Sequence, residues 1–427
     1  MTAPPHVVIV GGGFAGLEAA KRLGRAPVRV TLIDRANHHV FQPLLYQVAT
    51  AALNPADISK PIRSVLRRQK NVTVQLGDVT RIDLAGSTVH TLDGEAIGWD
   101  WLIIATGARH AYFGHPDWEV LAPGLKTIED ALEIRRRVLL AFERAERADT
   151  PEERQRHLTF VVVGGGPTGV EVAGALAEIK RHALLRDFRR IDPRDATVLL
   201  LEGGPRILPS YPPALGDRAK QALRRLGVEV RTESMVTSIS RGEVLCAGWR
   251  IPTDTVIWAA GNAARPVAET LSIDLDRQGR VKVEADCSVP GHPRVLVLGD
   301  AAAFTHDERF KLLPGIAPVA MQQGRHAADL IRDSLAGRER KPFRYADKGQ
   351  LAVIGRGYAV AEIGSLRLSG FFAWMTWILL HIYYLIGFAN RVLVLFQWAW
   401  SYLTFERGAR LITHGWAPAE TDPADNS

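Results

Sequence analysis

Two short runs of the chain carry the residue types for binding a phosphate. One is Val7-Val8-Ile9-Val10-Gly11-Gly12-Gly13-Phe14-Ala15-Gly16, and the other is Phe160-Val161-Val162-Val163-Gly164-Gly165-Gly166-Pro167-Thr168-Gly169. Each has glycines at the first, third and sixth positions of a turn that follows an apolar run. The first glycine permits a tight turn, the second lets the backbone approach a pyrophosphate, and the third lets the next helix pack closely on the strand. The start of that helix offers free N–H groups and partial positive charge to the phosphates. Asp34 ends the next apolar run in the first copy, and Glu202 does so in the second. A carboxylate there accepts a hydrogen bond from a ribose 2′-hydroxyl and repels a 2′-phosphate. A single copy has a lesser alternative reading, a glycine-rich turn that binds nothing. Two copies, each with its acid, imply two dinucleotides.

The elements that must position these turns are legible in the same segments. β-branched runs before the glycines predict buried parallel strands. Leu17, Ala20 and Leu23 predict one amphipathic helix, and Val170, Ala173, Leu176 and Ile179 predict its counterpart. The repeat goes further: VRVTLIDR (28–35) pairs with ATVLLLEG (196–203), and DWLIIATGA (100–108) pairs with DTVIWAAGN (254–262). The later copy carries an extra segment at 180–194. A third signal, RVLVLGDAAAF (294–304), places Asp300 at the C-terminal end of a strand, where open α/β sheets bind ligands. The plain reading of Asp300 is a turn residue capping the next helix. The expected fold is α/β, with two Rossmann-like dinucleotide-binding domains. A chain of 427 residues is long enough for two or three domains.

Composition narrows the partners. The net charge of +7 favours anionic partners, but no basic run interleaved with aromatics points to nucleic acid. Cys246 and Cys287 stand far apart, which argues against a disulfide framework, a cysteine zinc site and a dithiol redox pair. His38 and His39 are adjacent, a poor geometry for one metal ion, so no metal is expected. The N-terminal MTAPPHVVIVGGG enters a strand directly, from which a start on the cytosolic side is expected.

GGGFAGLEAA, ATG at 105–107, GGGPTGVE and LGDAA together resemble the two-dinucleotide flavoprotein reductases. NHHVFQPLLYQVAT (37–50), PGIAPVAMQQGRHAA (314–328), DKGQLAVIGR (347–356) and the tail at 381–412 resemble bacterial type II NADH dehydrogenase, the non-pumping NADH:quinone oxidoreductase. The likeness extends over nearly the whole chain, and the last three segments are its specific part. It implies a discontinuous FAD domain at 1–115 and 290–340 and an NADH domain inserted at 116–289. A C-terminal region at 341–412 carries anchor helices, and 413–427 is an expected disordered tail. It also implies non-covalent FAD, NADH as electron donor and quinone as acceptor. Gly11, Gly13, Gly16 and Asp34 then hold the ADP half of FAD. Gln42, Thr106, Asp300, Ala317 and Pro318 lie along the flavin half. Gly12, Phe14, Ala15, Arg35, Val79, Gly107 and Lys348 complete the cofactor-binding set. Gly164, Gly166, Gly169 and Glu202 hold NADH, with Gly261 near its nicotinamide end.

The same resemblance gives four residues a part in the chemistry. Glu171 and Lys348 approach the flavin ring from opposite sides, and Gln322 and Gln323 line its quinone end. Each has a plain reading beside it. Glu171, read as lying in a first helical turn, is an acid favoured by the helix dipole, and Glu18 fills the same place in the first copy. Lys348 reads as a surface lysine. Gln322 and Gln323 are adjacent on a helix, so both cannot face one ligand.

The segment Phe371–Trp400 is nearly all apolar or aromatic. It is interrupted by His381 and Asn390-Arg391, which makes it marginal against the ~20 apolar residues of a membrane span. Trp374, Trp377, Tyr383, Tyr384, Trp398, Trp400 and Tyr402 are types enriched at membrane boundaries. Arg367, Arg391, Arg407 and Arg410 suit anionic headgroups. The expectation is a monotopic anchor of two helices in one leaflet, on the cytoplasmic face of the inner (plasma) membrane, with membrane lipid and quinone as partners. A homodimer is compatible with it. A core helix or dimer interface is the plain reading. The competing functions are a sulfide:quinone oxidoreductase, a ferredoxin or rubredoxin reductase, and a membrane-bound flavin redox sensor.

Glu202 is followed by Gly203 rather than an arginine, which favours NADH over NADPH. Glu202→Ala is expected to narrow the ratio of kcat/KM for NADH over NADPH by about tenfold. An unchanged ratio removes Glu202 from cofactor choice.

Overall fold

The computed structural model describes residues 3–185, 187–385, 388–404 and 409–412. In chain order, β1 (His6–Val10), α1 (Phe14–Leu23) and β2 (Arg29–Asp34) come first. The short helix α2 (Leu45–Ala49) precedes β3 (Val72–Leu76) and β4 (Trp101–Ile104). A long helix, α3 (Ile128–Arg147), leads into β5 (Thr159–Val163), α4 (Pro167–Glu178) and β6 (Thr197–Leu201). Then come β7 (Val228–Arg231), β8 (Thr255–Trp258), β9 (Ser288–Val289), β10 (His292–Val297) and α5 (Ala317–Leu335). A meander of β11 (Gln350–Val353), β12 (Ala359–Ile363) and β13 (Leu366–Gly370) is followed by α6 (Phe371–Tyr384) and α7 (Phe388–Thr404).

These elements form two compact units. Met1–Phe41, Ser59–Ala111 and Gly261–Gly349 make the first; Gln42–Ile58, Tyr112–Ala260 and the chain from Gln350 make the second. Four segments fall differently from the boundaries expected from sequence: 112–115, which packs in the second unit, 341–349, which packs in the first, and two longer ones. Residues 261–289 pack in the first unit, where β9 pairs with β10. Residues 42–58 pack in the second, where α2 lies against α3 and α4.

In the first unit the sheet order is β9-β10-β4-β1-β2-β3, parallel except for β9. Every residue of β1 and β4 is buried, the condition of a central parallel strand covered on both faces. α1 and α5 cross with no room for a side chain at Gly324, where a Cβ would stand 2.2 Å from the Ala15 carbonyl oxygen. Two ion pairs hold the outer side of this crossing, Arg22–Asp329 and Arg325–Glu18, each at 2.7 Å.

In the second unit β7-β6-β5-β8 form an all-parallel sheet. α3 starts in a capping box: Thr127 Oγ1 accepts from Asp130 N–H at 3.1 Å, and Asp130 accepts from Thr127 N–H at 2.9 Å. Its buried stripe runs through Ile128, Ala131, Ile134, Val138, Phe142 and Ala145.

The C-terminal helices divide their surfaces. Among the described residues no helix is long and apolar enough to cross a membrane. Phe372 (76% exposed), Leu379 (64%), Tyr383 (69%) and Phe396 (70%) face outward. Trp377, expected at a membrane boundary, is instead 2% exposed, stacked on His381 at 4.2 Å and 5.4 Å from Trp398. The arginines expected at headgroups are also partly engaged. Arg391 donates to the Leu385 and Tyr383 carbonyls, both at 2.7 Å, capping the end of α6. Arg410 pairs with Asp187, while Arg367 is exposed. The side chains of Trp400 and Tyr402, together with Arg407 and residues 413–427, lie outside the described residues.

Candidate active site

The two glycine turns repeat each other at their matching glycines. Gly11 and Gly164 have φ of +103° and +107°, which side chains rarely adopt. A Cβ at Gly16 would stand 1.9 Å from the Gly11 carbonyl oxygen, and one at Gly169 would stand 1.9 Å from that of Gly164. The glycines between, Gly13 and Gly166, meet nothing within 4 Å, so the backbone there is open to a phosphate. The acids close each turn. Asp34 accepts from Gly12 N–H at 2.5 Å and Ala36 N–H at 2.7 Å. Glu202 accepts from Gly165 N–H at 2.6 Å and Gly204 N–H at 2.7 Å. An ionised carboxylate has about four acceptor sites, so each acid keeps capacity for a ribose hydroxyl. Both turns fit a dinucleotide.

The remaining residues of the first unit fall into two groups. Thr106 Oγ1 is buried with no hydrogen-bond partner, an orphan that a bound cofactor's polar group would satisfy. Gly107, at φ +69°, has nothing near its missing side chain. Asp300 is half-buried in the one-turn helix Gly299–Ala301, and Ala317 and Pro318 begin α5. Phe14 sits edge-on to buried His39 at 4.9 Å, Val79 is buried and Arg35 is exposed. Lys348 is exposed. Both glutamines are engaged with backbone. Gln323, 1% exposed, accepts from Gly299 N–H at 2.7 Å and so holds the turn that carries Asp300. Gln322 exchanges two 2.9 Å hydrogen bonds with Ala346. Gly261 packs in this first unit, and Gln42 belongs to the second, where it is exposed and donates to the Lys126 carbonyl at 3.3 Å.

The second unit contains a cavity of about 90 Å³ that the sequence alone does not delineate. Tyr46, Gln47, Thr50 and Ala52 form one wall. Glu171, Ala175 and Glu178 line it from one face of α4, and Val353, Gly355 and Arg356 follow from the end of β11. Trp374, Trp377 and Ile378 of α6 and Trp398 of α7 complete it. A polar chain ties the tail to the wall: Trp398 Nε1 donates to Gln47 Oε1 at 2.8 Å, and Gln47 Nε2 donates to the Tyr46 hydroxyl at 2.9 Å. Asn390 donates to the carbonyls of Ala56 at 3.0 Å and Asp57 at 2.9 Å. Of these residues only Glu171 was singled out from sequence as chemical. Glu178, seven residues on along α4, shares its helical face, a spacing that was available as a signal.

Glu171 is the fifth residue of α4, just past the first turn, where the dipole acts less strongly than at the helix end. Its Oε1 accepts a long 3.4 Å hydrogen bond from Val353 N–H. Burial of the carboxyl in the cavity wall outweighs that bond and pushes its pKa up to about 8. Between the ordinary glutamate range and about 8, the folded protein keeps a proton that the unfolded chain has released. Stability therefore falls as pH rises across that window. Glu171→Gln is expected to flatten the decline in Tm between about pH 5 and pH 8, read by thermal melts at matched ionic strength. A variant with the wild-type slope places the titrating group elsewhere.

The pyridine nucleotide-disulphide oxidoreductase family model matches residues 5–324. The type II NADH:quinone oxidoreductase Ndh of Mycobacterium tuberculosis is 46% identical over 439 residues, 98% of this chain and 93% of that protein. NdhA of the same organism, also a type II NADH:quinone oxidoreductase, is 44% identical across 96% of this chain and 89% of its own length. The solved structure of NDH2 from Plasmodium falciparum in complex with NADH has a TM-score of 0.88 at 20% identity, covering 96% of this chain and all of that one. The sulfide:quinone oxidoreductase of Aquifex aeolicus has a TM-score of 0.73 at 19% identity, covering 89% and 90%. The two solved structures speak for the fold alone, whereas the two mycobacterial relatives fix the branch. The chain belongs to the pyridine nucleotide-disulphide oxidoreductases and, within them, to the type II NADH:quinone oxidoreductases.

Proposed function

We propose that this chain accepts hydride from NADH on a bound FAD and passes the electrons to a quinone drawn from a membrane, pumping no protons. Bound FAD supplies a two-electron store between a hydride donor and a quinone. In this reading the first glycine turn and Asp34 grip the adenosine half of FAD, with Thr106 and Asp300 further along it. The second turn and Glu202 grip NADH. Lys348 faces developing negative charge on the flavin ring, and Gln323 acts by holding the Asp300 turn. Gln322 is assigned to bracing Ala346, two residues before Lys348.

The observation that carries the quinone assignment is the cavity beside Glu171. A carboxyl that keeps its proton near neutrality stands in a pocket walled by the apolar tail helices. A quinone oxygen taking electrons needs a proton, and a neutral buried acid is suited to donate one. Sulfide chemistry would need a reactive thiol. Cys246 and Cys287 are both buried, and burial pushes both thiols up.

α6 and α7 are assigned to lie in the membrane interface, on the cytoplasmic face, with their exposed phenylalanines and leucines among the lipid chains. The inward tryptophans would line the quinone's way in.

Stopped-flow absorbance on detergent-purified protein tests the reaction. NADH should bleach the flavin quickly and a short-chain quinone should restore it, with sulfide inert; bleaching without quinone-driven recovery removes the quinone assignment. Glu171→Gln should leave bleaching intact and slow recovery about 10²-fold. Wild-type recovery should also fall as pH rises through about 8, as the acid loses its proton. The triple change Phe372→Glu, Leu379→Glu and Phe396→Glu tests the anchor without opening the cavity. The variant should leave membranes for the supernatant, keep its flavin and still reduce short-chain quinone. Retention on the membrane ends the anchor reading.

A further inference from the structure

Glu171 stands in the cavity wall; among the described residues no cation pairs with it, and the Val353 N–H is its one named hydrogen-bond partner. After donating a proton it would be a carboxylate in an apolar wall, and it must be reprotonated on every turnover. Glu178 is the other carboxylic acid lining the cavity. The two stand seven residues apart on one face of α4, about 10 Å along the helix axis. That is too far for a direct hydrogen bond and within reach of a short chain of waters, for which the cavity has room.

The backbone after β11 is laid across both acids. Val353 N–H points to Glu171 and Arg356 N–H to Glu178. Midway, Gly174 lets that backbone approach so closely that a Cβ would stand 3.1 Å from the Ile354 carbonyl. The other titratable groups around the pair are Arg356 of this loop, Tyr46 across the cavity and buried Tyr211 beside Glu171. Arg356 lines the cavity beside Glu178, which is half-buried.

We infer that Glu178 is the proton-entry residue of this site, taking protons from water and passing them along cavity waters to Glu171. The inference rests on reading the cavity as the quinone site. The step balances. The hydride equivalent from NADH brings the quinone two electrons and one proton, and the second proton comes from the Glu171 carboxyl, which becomes a carboxylate. The Glu178 carboxyl then gives its proton to Glu171 and recovers one from solvent. Glu178 acts through Glu171 and does not touch the quinone.

Glu178→Gln keeps an oxygen to accept from Arg356 N–H, so the loop stays seated while the relay is cut. Flavin bleaching by NADH in a single turnover should match wild type. Steady-state quinone reduction should fall about tenfold. The loss should deepen as pH rises and be partly restored by a small diffusible acid such as imidazolium at fixed pH and ionic strength. Should the Gln variant lose its flavin, Glu178→Asp carries the test, with a smaller loss of the same pH dependence and the same rescue. Wild-type turnover at every pH overturns the inference. A loss uniform with pH and indifferent to imidazolium overturns it too, since that is the mark of a loop clamp. A wild-type protein that bleaches but is never reoxidised by quinone would instead bring down the reading of the cavity itself.

Discussion

The structure turns on one close approach made twice: a helix packed so tightly on the turn before it that no Cβ fits at Gly16 or Gly169. That contact sets the helix N-terminus over the end of the preceding strand. It leaves the turn's N–H groups free to take an acid from the neighbouring strand, Asp34 in one unit and Glu202 in the other. In the first unit a second close approach builds on the first. Gly324 lets α5 lie directly on Ala15 of α1, and Gln323, its neighbour in α5, fixes the turn bearing Asp300. An added methyl at any of these glycines would separate elements that meet through backbone atoms, where overpacking has no flexible side chain to absorb it.

The tail answers to two competing demands. Its inner side is a packed wall, with Trp377 buried, Trp398 bonded to Gln47 and Asn390 tied to the backbone after α2. Its outer side exposes large apolar side chains, among them Phe372, Leu379, Tyr383 and Phe396. A core-helix reading accounts for the first side only, and a freely attached anchor for the second only. On the interfacial reading the two sides act together, because whatever holds the outer face in lipid also fixes the wall of the cavity behind it.

The repeated strand, turn and helix were legible because their determinants are local: glycine spacing, β-branched runs and an acid at the next strand's end. The tail's apolar character was legible for the same reason, but not its sidedness. Trp374, Trp377 and Trp398 look alike in sequence to residues facing lipid, and only tertiary contact turns them inward. The cavity was not legible, since it joins residues near 46, 171, 353 and 398 through packing alone. Gln322 and Gln323 read as ligand donors by type, yet each meets a backbone group that sequence does not reveal. The unit boundaries shifted because 42–58 and 261–289 pack against elements distant in sequence.

The duplication supplies its own control on the chemistry. Glu18 and Glu171 hold the same position in the two copies, each the fifth residue of its helix. Burial raises the pKa of both. At Glu18 the cations Lys21, at 3.1 Å, and Arg325, at 2.7 Å, outweigh burial and leave the acid below its ordinary range. At Glu171 no cation among the described residues stands in their place, and burial carries the acid to about 8. The helix and its dipole are common to both, so neither explains the difference. What separates the ion-paired acid from the proton-holding one is the side chain that each copy sets opposite: arginine from α5 in the first, and the wall of the cavity in the second.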